Sequence, residues 1–297
     1  MPSFKRILFP VDFSERCRGA AHYAIALAGR FGSELVLLHV VETPIARPGE
    51  LDFGAMAFET DLEGRVEYCR QLLDAFLENA QPADPAAQYL NVEKRIEQGD
   101  AARAIIRFAG ETGVDLIMMP THGYGAFRRF ILGSVTAKVL HDADCPVWTG
   151  VHLEAAPPLD AIALRRVVCA IDLSAANEHP LRAASELCAE YGAELTVVHA
   201  VPGSEAVPER GMDKELQAHL KIDARERIQK ALATLDIAAS NVSVESGEVA
   251  HVVRSAAASH QSDLVVIGRG VHTGLAGRLR THSYAIIRES PCPVLSI

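Results

Sequence analysis

Hydrophobic positions along the chain alternate between short continuous runs and longer stretches with helical periodicity. Ile7–Val11 is apolar almost throughout, which is typical of a strand buried on both faces of a sheet. Asp61–Asn79 instead repeats its apolar residues at the spacing of an amphipathic helix. Ser14 is a suitable N-cap for the helix after the first strand, and Gly32 is a suitable stop. The alternation predicts a parallel sheet with helices on both faces.

The same patterns predict five strands and four helices in each half of the chain. The predicted strands are Ile7–Val11, Glu34–Val41, Asn91–Glu97, Leu116–Met119, Pro146–Trp148, Val167–Ile171, Leu195–Val201, Val242–Ser246, Leu264–Ile267 and Val294–Ile297. The helix after Ser14 is followed by predicted helices at Asp61–Asn79, Ala101–Glu111, Ser134–Leu140, Ala175–Tyr191, Lys214–Leu235, His251–Ser259 and Ser283–Glu289.

The second half of the chain repeats the first. Asp172 lies in the same local pattern as Asp12, 160 residues later, and Cys145-Pro-Val returns at Cys292. A repeat of this length indicates a duplicated domain and not a solenoid. We therefore predict an α/β protein with two tandem doubly wound domains, residues 1–150 and 165–297, joined by a linker at 151–164. The segment Glu42–Thr60, rich in proline and glycine, is predicted to be a surface loop over the pocket or an interface.

Charge and composition exclude several function classes. The chain carries 29 Lys and Arg against 38 Asp and Glu, a formal net charge of −9, which argues against nucleic acid as a main partner. No apolar run approaches the length of a membrane span, and the first residues do not resemble a signal peptide. We expect a cytoplasmic protein with no membrane partner. The six cysteines form no C-x-x-C pair, so we expect buried thiols and no metal site.

The predicted sheet topology indicates where a ligand would bind. Doubly wound sheets bind ligands at the carboxyl ends of the strands, where the strand order reverses. The relevant strand ends in the first half carry Pro10, Val11, Asp12, Val40, Met119 and Pro120. Gly133 and the residues Ser134, Val135 and Thr136 then begin a helix whose unpaired N–H groups attract phosphate. The hydroxyls of Ser134 and Thr136 are expected to add donors, as are Arg128 and Arg129 in the preceding loop.

At these residues the chain resembles the universal stress protein family. The family's nucleotide motif is Gly-x-x-Gly, nine residues, then Gly-Ser or Gly-Thr, and here Pro120-Thr-His-Gly123 precedes Gly133-Ser134 by nine residues. The family's Val-Asp-Phe-Ser stands at 11–14, its Leu-His-Val at 38–40 and its Cys-Pro-Val at 145–147. The resemblance covers nearly the whole chain, in a tandem arrangement, and implies the adenine nucleotide alpha hydrolase-like fold.

The resemblance also implies a ligand. Asp12 and the backbone around Val11 and Val40 would hold adenine and ribose. The phosphates of ATP, accompanied by Mg²⁺ or Mn²⁺, would be held by residues of the glycine motif: Gly123, Gly133, Ser134, Val135 and Thr136. Pro120 departs from the motif because proline lacks an N–H. In the second copy Arg280 takes the position of Gly133, so we expect that copy not to bind ATP in the same way.

The resemblance implies partners as well. In the family the last strand pairs across a dimer interface, so the two copies are expected to form an internal pseudo-dimer, with further homodimerisation open.

The sequence leaves three functional hypotheses open. We find no nucleophile and base at motif spacing, and His39 and His199 are interpreted as satisfied histidines near the sheet edge. The first hypothesis is an ATP-binding stress-response regulator in which the nucleotide acts as a conformational ligand on an unidentified protein partner. The second is a nucleotide-independent interaction protein with vestigial pockets, favoured by Pro120 and Arg280. The third is a weak ATPase with Asp12 at the metal.

Overall fold

The computed structural model describes residues 4–42, 62–80, 90–121, 132–150, 162–174, 177–203, 214–269 and 281–297. The elements of the first repeat are β1 (Arg6–Pro10), α1 (Glu15–Phe31), β2 (Glu34–Val41), α2 (Leu62–Ala80), β3 (Asn91–Gln98), α3 (Ala101–Thr112), β4 (Leu116–Met119), α4 (Ser134–Asp142) and β5 (Val147–Thr149). Those of the second are β6 (Arg166–Ala170), α5 (Glu178–Tyr191), β7 (Glu194–Val201), α6 (Lys214–Thr234), β8 (Asn241–Ser246), α7 (Val249–Ser259), β9 (Leu264–Ile267), α8 (Thr281–Glu289) and β10 (Val294–Ser296).

The predicted succession of strands and helices is confirmed, and most boundaries move by one or two residues. Ser14 caps α1 by accepting the N–H of Cys17, and Gly32 ends it in the left-handed conformation at φ 63°. Three helix starts were predicted wrongly, and one of them is that of α8, which begins at Thr281 and not at Ser283. The helix α7 begins two residues before His251, because the Glu248 side chain accepts the first free N–H groups. The helix α5 begins at Glu178, and residues 175–176 of the predicted helix lie outside the described part.

All ten strands form one sheet in the order β3-β2-β1-β4-β5-β10-β9-β6-β7-β8. Neighbouring strands within each repeat are parallel, so each repeat is a doubly wound α/β unit. The order reverses between β1 and β4 in the first repeat and between β6 and β9 in the second, and these points position ligand sites. None of the described helices has the length and apolarity that a bilayer crossing needs.

Successive side chains of each strand pack alternately into two hydrophobic cores, which lie on opposite faces of the sheet. Ile7 and Phe9 of β1 join the core under α1, α2, α5 and α6, whereas Leu8 joins the core under the other four helices. This alternation follows from the two-residue period of a strand. Burial on both faces explains the continuous apolar run that the sequence shows at β1.

The two repeats are joined through their last strands, as predicted. Val147–Thr149 pairs with Val294–Ser296, and this is an antiparallel pairing. Further contacts cross the junction at equivalent positions of the repeats: Arg30 pairs with Glu190 at 2.9 Å, and the Tyr284 hydroxyl donates to the carbonyl of Ala137 at 3.2 Å. The predicted linker at 151–164 falls mostly on residues outside the described part.

Candidate functional site

A cavity of about 800 Å³ opens at the carboxyl edge of the first repeat, where the strand order reverses. It is lined by ten of the predicted site residues: Pro10, Val11, Asp12, Val40, Met119, Pro120, Gly133, Ser134, Val135 and Thr136. The remaining one, Gly123, lies outside the described residues, as do the loop arginines Arg128 and Arg129 and most of the segment Glu42–Thr60. The volume is within the range of small-molecule sites, roughly 300–1,000 Å³.

The turn from β1 to α1 holds Asp12 at the cavity by a local network. The N–H of Val11 donates to the Leu38 carbonyl at 2.8 Å, which extends the pairing of β1 with β2. The N–H of Ser14 donates to Oδ1 of Asp12 at 2.9 Å. Phe13 between them has φ 61°, a left-handed conformation that is uncommon for a residue with a large side chain. The aligned Leu173 has φ 58°, so both repeats keep this strained turn.

His39 is satisfied, as the sequence indicated, and it also lines the cavity. Its Nδ1 lies 2.7 Å from the carbonyl oxygen of Val11, and its ring lies 4.6 Å from the ring of Phe13. The equivalent His199 makes the same contact with Ile171 at 2.8 Å. These histidines therefore tie the end of the second strand of each repeat to the turn after the first.

The first turn of α4 lines the cavity. Gly133 is the N-cap, and within the described residues no side chain caps the helix. The first N–H groups of a helix, here those of Ser134, Val135 and Thr136, find no acceptor inside the helix. Gly133 has φ −59°, a value that any residue can adopt. Glycine therefore matters at this position because it has no side chain, and not because of a special backbone conformation.

Two hydrogen bonds fix the start of α4 to the end of β4. The N–H of Gly133 donates to the Thr121 carbonyl at 2.9 Å, and the hydroxyl of Thr136 donates to the Pro120 carbonyl at 3.1 Å. The second bond gives the Thr136 hydroxyl, which the sequence predicts to donate to phosphate, an acceptor on the protein itself. Thr136 is buried, and its hydroxyl donates this hydrogen bond to the protein backbone and so positions the helix.

Four polar or reactive side chains line the cavity without having been predicted. They are Arg16 in the first turn of α1, Glu42 after β2, and Arg65 and Cys69 on α2. Arg65 donates to the Glu42 carbonyl at 3.3 Å, so α2 and the end of β2 are linked across the rim. Burial raises the pKa of the Cys69 thiol. The arginines bring positive charge to a cavity whose lining carboxylates are Asp12 and Glu42.

The equivalent cavity in the second repeat is much smaller. The cavity there measures about 120 Å³ and is lined by Asp172, Gly268, His282 and Ser283 among others. Gly268 aligns with Pro120, and His282 aligns with Val135. Burial opposes ionisation of Glu248 beside this cavity, but hydrogen bonds from the N–H groups of Ala250 and His251 outweigh it and hold its pKa below the usual value. Arg280 lies outside the described residues.

No metal centre or cysteine nucleophile emerges from the described part of the chain. Within it, no three His, Cys, Asp or Glu side chains come together as metal ligands. All six cysteines are free thiols, and four of them are buried. Burial raises the pKa of the Cys17 thiol, next to Asp12, well above its ordinary value. A thiol in this environment is a packing group, because its reactive thiolate form is suppressed.

Comparison with known proteins identifies the family. The family model for the universal stress proteins matches residues 3–149 and again residues 163–297, and the chain belongs to the universal stress protein family. A universal stress protein of Thermus aquaticus is 34% identical over 145 residues, which are 48% of this chain and 96% of the relative. One from Methanocaldococcus jannaschii is 27% identical over 155 residues, 48% of this chain and 93% of the relative. Each of these relatives matches about one repeat.

A solved structure matches both repeats together. The crystal structure of a universal stress protein from Archaeoglobus fulgidus aligns with 100% of this chain and 97% of its own, with a TM-score of 0.66 and 21% identity. At this level of identity the likeness establishes the fold. The fold is therefore the tandem, doubly wound α/β architecture of the family, the adenine nucleotide alpha hydrolase-like fold.

Proposed function

We propose that the first repeat binds ATP and that the protein acts as a stress-response regulator. The observation that carries the proposal is the uncapped start of α4, which opens onto the same cavity as Asp12. Unpaired amide groups with the positive end of the helix dipole favour a phosphate group. A carboxylate at a parallel strand end suits a ribose hydroxyl. The two groups lie on opposite sides of the strand-order reversal, as a nucleotide requires.

Each part of the nucleotide would have a counterpart among the residues that line the cavity. The N–H groups of Ser134, Val135 and Thr136 would hold phosphate oxygens, and Gly133 leaves room for them because it has no side chain. The apolar wall formed by Val11, Val40 and Met119 would cover the adenine ring. Pro120 is compatible with this arrangement, because its carbonyl accepts from Thr136 and no described contact needs an N–H at that position.

Arg16 and Arg65 support the binding of a highly charged phosphate chain. A Mg²⁺ or Mn²⁺ ion would arrive with the nucleotide and take most of its oxygen ligands from phosphate and water, with Asp12 the nearest candidate carboxylate of the turn. The divalent ion supplies charge neutralisation of the phosphates. The protein's own groups orient the nucleotide through the α4 amides and the β1–α1 turn.

The proposed role of the nucleotide is conformational. A phosphate bound at the start of α4 would bias the surface that the first repeat presents to a partner. A nucleotide-independent interaction protein and a weak ATPase stay as alternatives. Cytoplasmic localisation and homodimerisation of the whole chain belong to the same proposal.

We further propose that ATP binds to one repeat only. The cavity of the second repeat has about 120 Å³ against about 800 Å³ in the first, and this supports a functional difference between the repeats. His282 in place of Val135 adds bulk at the first turn of α8.

The experiment is to denature the purified full chain and identify released small molecules by ion-pair chromatography. The proposal expects an adenine nucleotide at up to one molecule per chain. If no purine is released and added ATP does not bind below about 1 mM, roughly −4 kcal/mol, the nucleotide-independent alternative is favoured. Phosphate release from ATP that disappears in Asp12→Ala would favour the ATPase.

A further inference from the structure

The second repeat has an open groove where the first repeat has a packed aromatic cluster. The groove measures about 450 Å³ and runs between the start of α5 and the last turns of α6. It lies on the opposite face of the sheet from the repeat's small 120 Å³ cavity, and the two share the turn at Ile171, Ser174 and Asn177. The volume is within the size range of small-molecule sites.

The groove exists because aromatic rings are missing. In the first repeat the ring of Phe13 lies 6.2 Å from that of Phe76 on α2, and Phe9 stacks on Phe76 at 6.4 Å. In the second repeat Cys169 and Leu173 stand at the positions of Phe9 and Phe13. The corresponding helix, α6, contains no Phe, Tyr or Trp. Smaller side chains on both walls leave apolar surface that packing does not cover.

The walls of the groove are apolar and its rim is positive. Ile171, Leu173, Leu181 and Leu235 supply hydrocarbon surface, and Leu181 is fully buried beneath it. The cations Arg227 and Lys230 stand along one side on α6. The Arg227 guanidinium donates to the Leu173 carbonyl at 3.2 Å, which holds it at the groove.

The charges at the rim are only partly paired, and Arg227 also lies 3.7 Å from a carboxylate oxygen of Asp223. Among the described residues, the one carboxylate that lines the groove is that of Glu178, which accepts from Arg182 at 2.8 Å and is neutralised by it. Within the described residues no carboxylate pairs with the Lys230 ammonium. A ligand with an apolar body and one anionic end would cover the exposed hydrocarbon and meet an unpaired cation.

We propose that the groove between α5 and α6 is a second ligand site, which binds a small amphiphilic anion such as a medium-chain carboxylate. The site is separate from the nucleotide cavity of the first repeat and does not depend on the function proposed for it. The second repeat thus has a small cavity on one face of its sheet and a larger groove on the other.

The test is calorimetric titration of the full chain with decanoate, compared with its neutral counterpart decan-1-ol. The proposal expects one decanoate per chain and weaker binding of the alcohol. Lys230→Gln should weaken decanoate binding by about threefold, the effect of one exposed charge pair. Arg225→Gln is the matched control, because Arg225 is exposed on α6 outside the groove, and it should leave the affinity unchanged.

Ala231→Phe, which restores a ring to this region of α6, should abolish decanoate binding. Circular dichroism melting checks that this variant is folded, and if it is not, Lys230→Gln and competition with ATP decide. The proposal is overturned if decanoate does not bind, if decanol binds as tightly, if the Lys230 and Arg225 variants behave alike, or if ATP displaces decanoate.

Discussion

The guanidinium of Arg269, in the second repeat, donates a hydrogen bond of 2.9 Å to the carbonyl of Ala143, in the first. A second bond of 2.6 Å reaches the carbonyl of Cys145. Arg269 is only 5% exposed, and Ala143 is the C-cap of α4, the helix whose other end opens onto the nucleotide cavity. A cation at a helix C-terminus is favourable, because carbonyls there lack intrahelical donors. The second repeat thereby secures the helix that the first repeat uses at its site.

Replacing this arginine is expected to destabilise the whole chain. Arg269→Met keeps most of the volume but leaves the buried carbonyl of Ala143 and the part-buried carbonyl of Cys145 without these donors, at a cost of about 2–4 kcal/mol. Urea unfolding followed by circular dichroism measures the change. Arg254→Met removes an exposed ion pair of 4.0 Å and should stay within about 0.5 kcal/mol. Equal effects of the two substitutions would contradict the structural role given to Arg269.

Thr136 provides a test of its hydroxyl's role. Thr136→Val removes the hydrogen bond to the Pro120 carbonyl while conserving shape, and stability should fall by about 1–2 kcal/mol. ATP affinity should change by less than about threefold, since the amide of residue 136 is retained. Thr136→Ser keeps the hydroxyl and is the matched control. A large loss of ATP affinity in the valine variant at unchanged stability would instead mean that the hydroxyl contacts phosphate.

Cys69 reports on occupancy of the cavity. Burial raises its pKa, so less thiolate is present at neutral pH, and alkylation by iodoacetamide should be slow there and accelerate as the pH rises. Bound ATP should slow alkylation of Cys69, which lines the cavity, but not of Cys145, which is also partly exposed and lies outside it. Peptide mapping by mass spectrometry resolves the two sites. Equal protection of both cysteines, or of neither, would argue against a nucleotide in this cavity.

The hydrophobic periodicity and the motif spacing predicted the strand ends well. They did not predict which helix side chains line the cavity. The bounds Glu34–Val41 and Leu116–Met119 agree with the structure, because buried parallel strands leave an uninterrupted apolar run between polar ends. Arg16 and Arg65 were missed, since their presence at the cavity depends on how α1 and α2 lie across the sheet edge. The bond of the Thr136 hydroxyl was missed for a similar reason, because its acceptor, Pro120, is sixteen residues away.

Charge complementarity between the repeats can be tested by exchanging the partners. Arg30 and Glu190 occupy equivalent positions of the two repeats, and Arg30 also lies 5.2 Å from the centre of the Tyr191 ring. Arg30→Glu places two carboxylates together and should cost about 1 kcal/mol, and adding Glu190→Arg should recover part of it. Thermal unfolding of the two single variants and the double variant gives the coupling energy. A coupling of zero would show that this pair does not help to join the repeats.

The central claim is that the uncapped first turn of α4 binds the phosphates of ATP in the first repeat. Calorimetric titration of the full chain with ATP and Mg²⁺, beside Gly133→Val, tests it most directly. The valine is compatible with the backbone at φ −59° but places two methyl groups where phosphate oxygens would lie. Gly110→Val, on the exposed side of α3, is the control. We predict one ATP per chain and at least about tenfold weaker binding in the Gly133 variant alone, roughly 1.4 kcal/mol. Unchanged affinity in Gly133→Val, or no binding by the unmodified chain, would contradict the account.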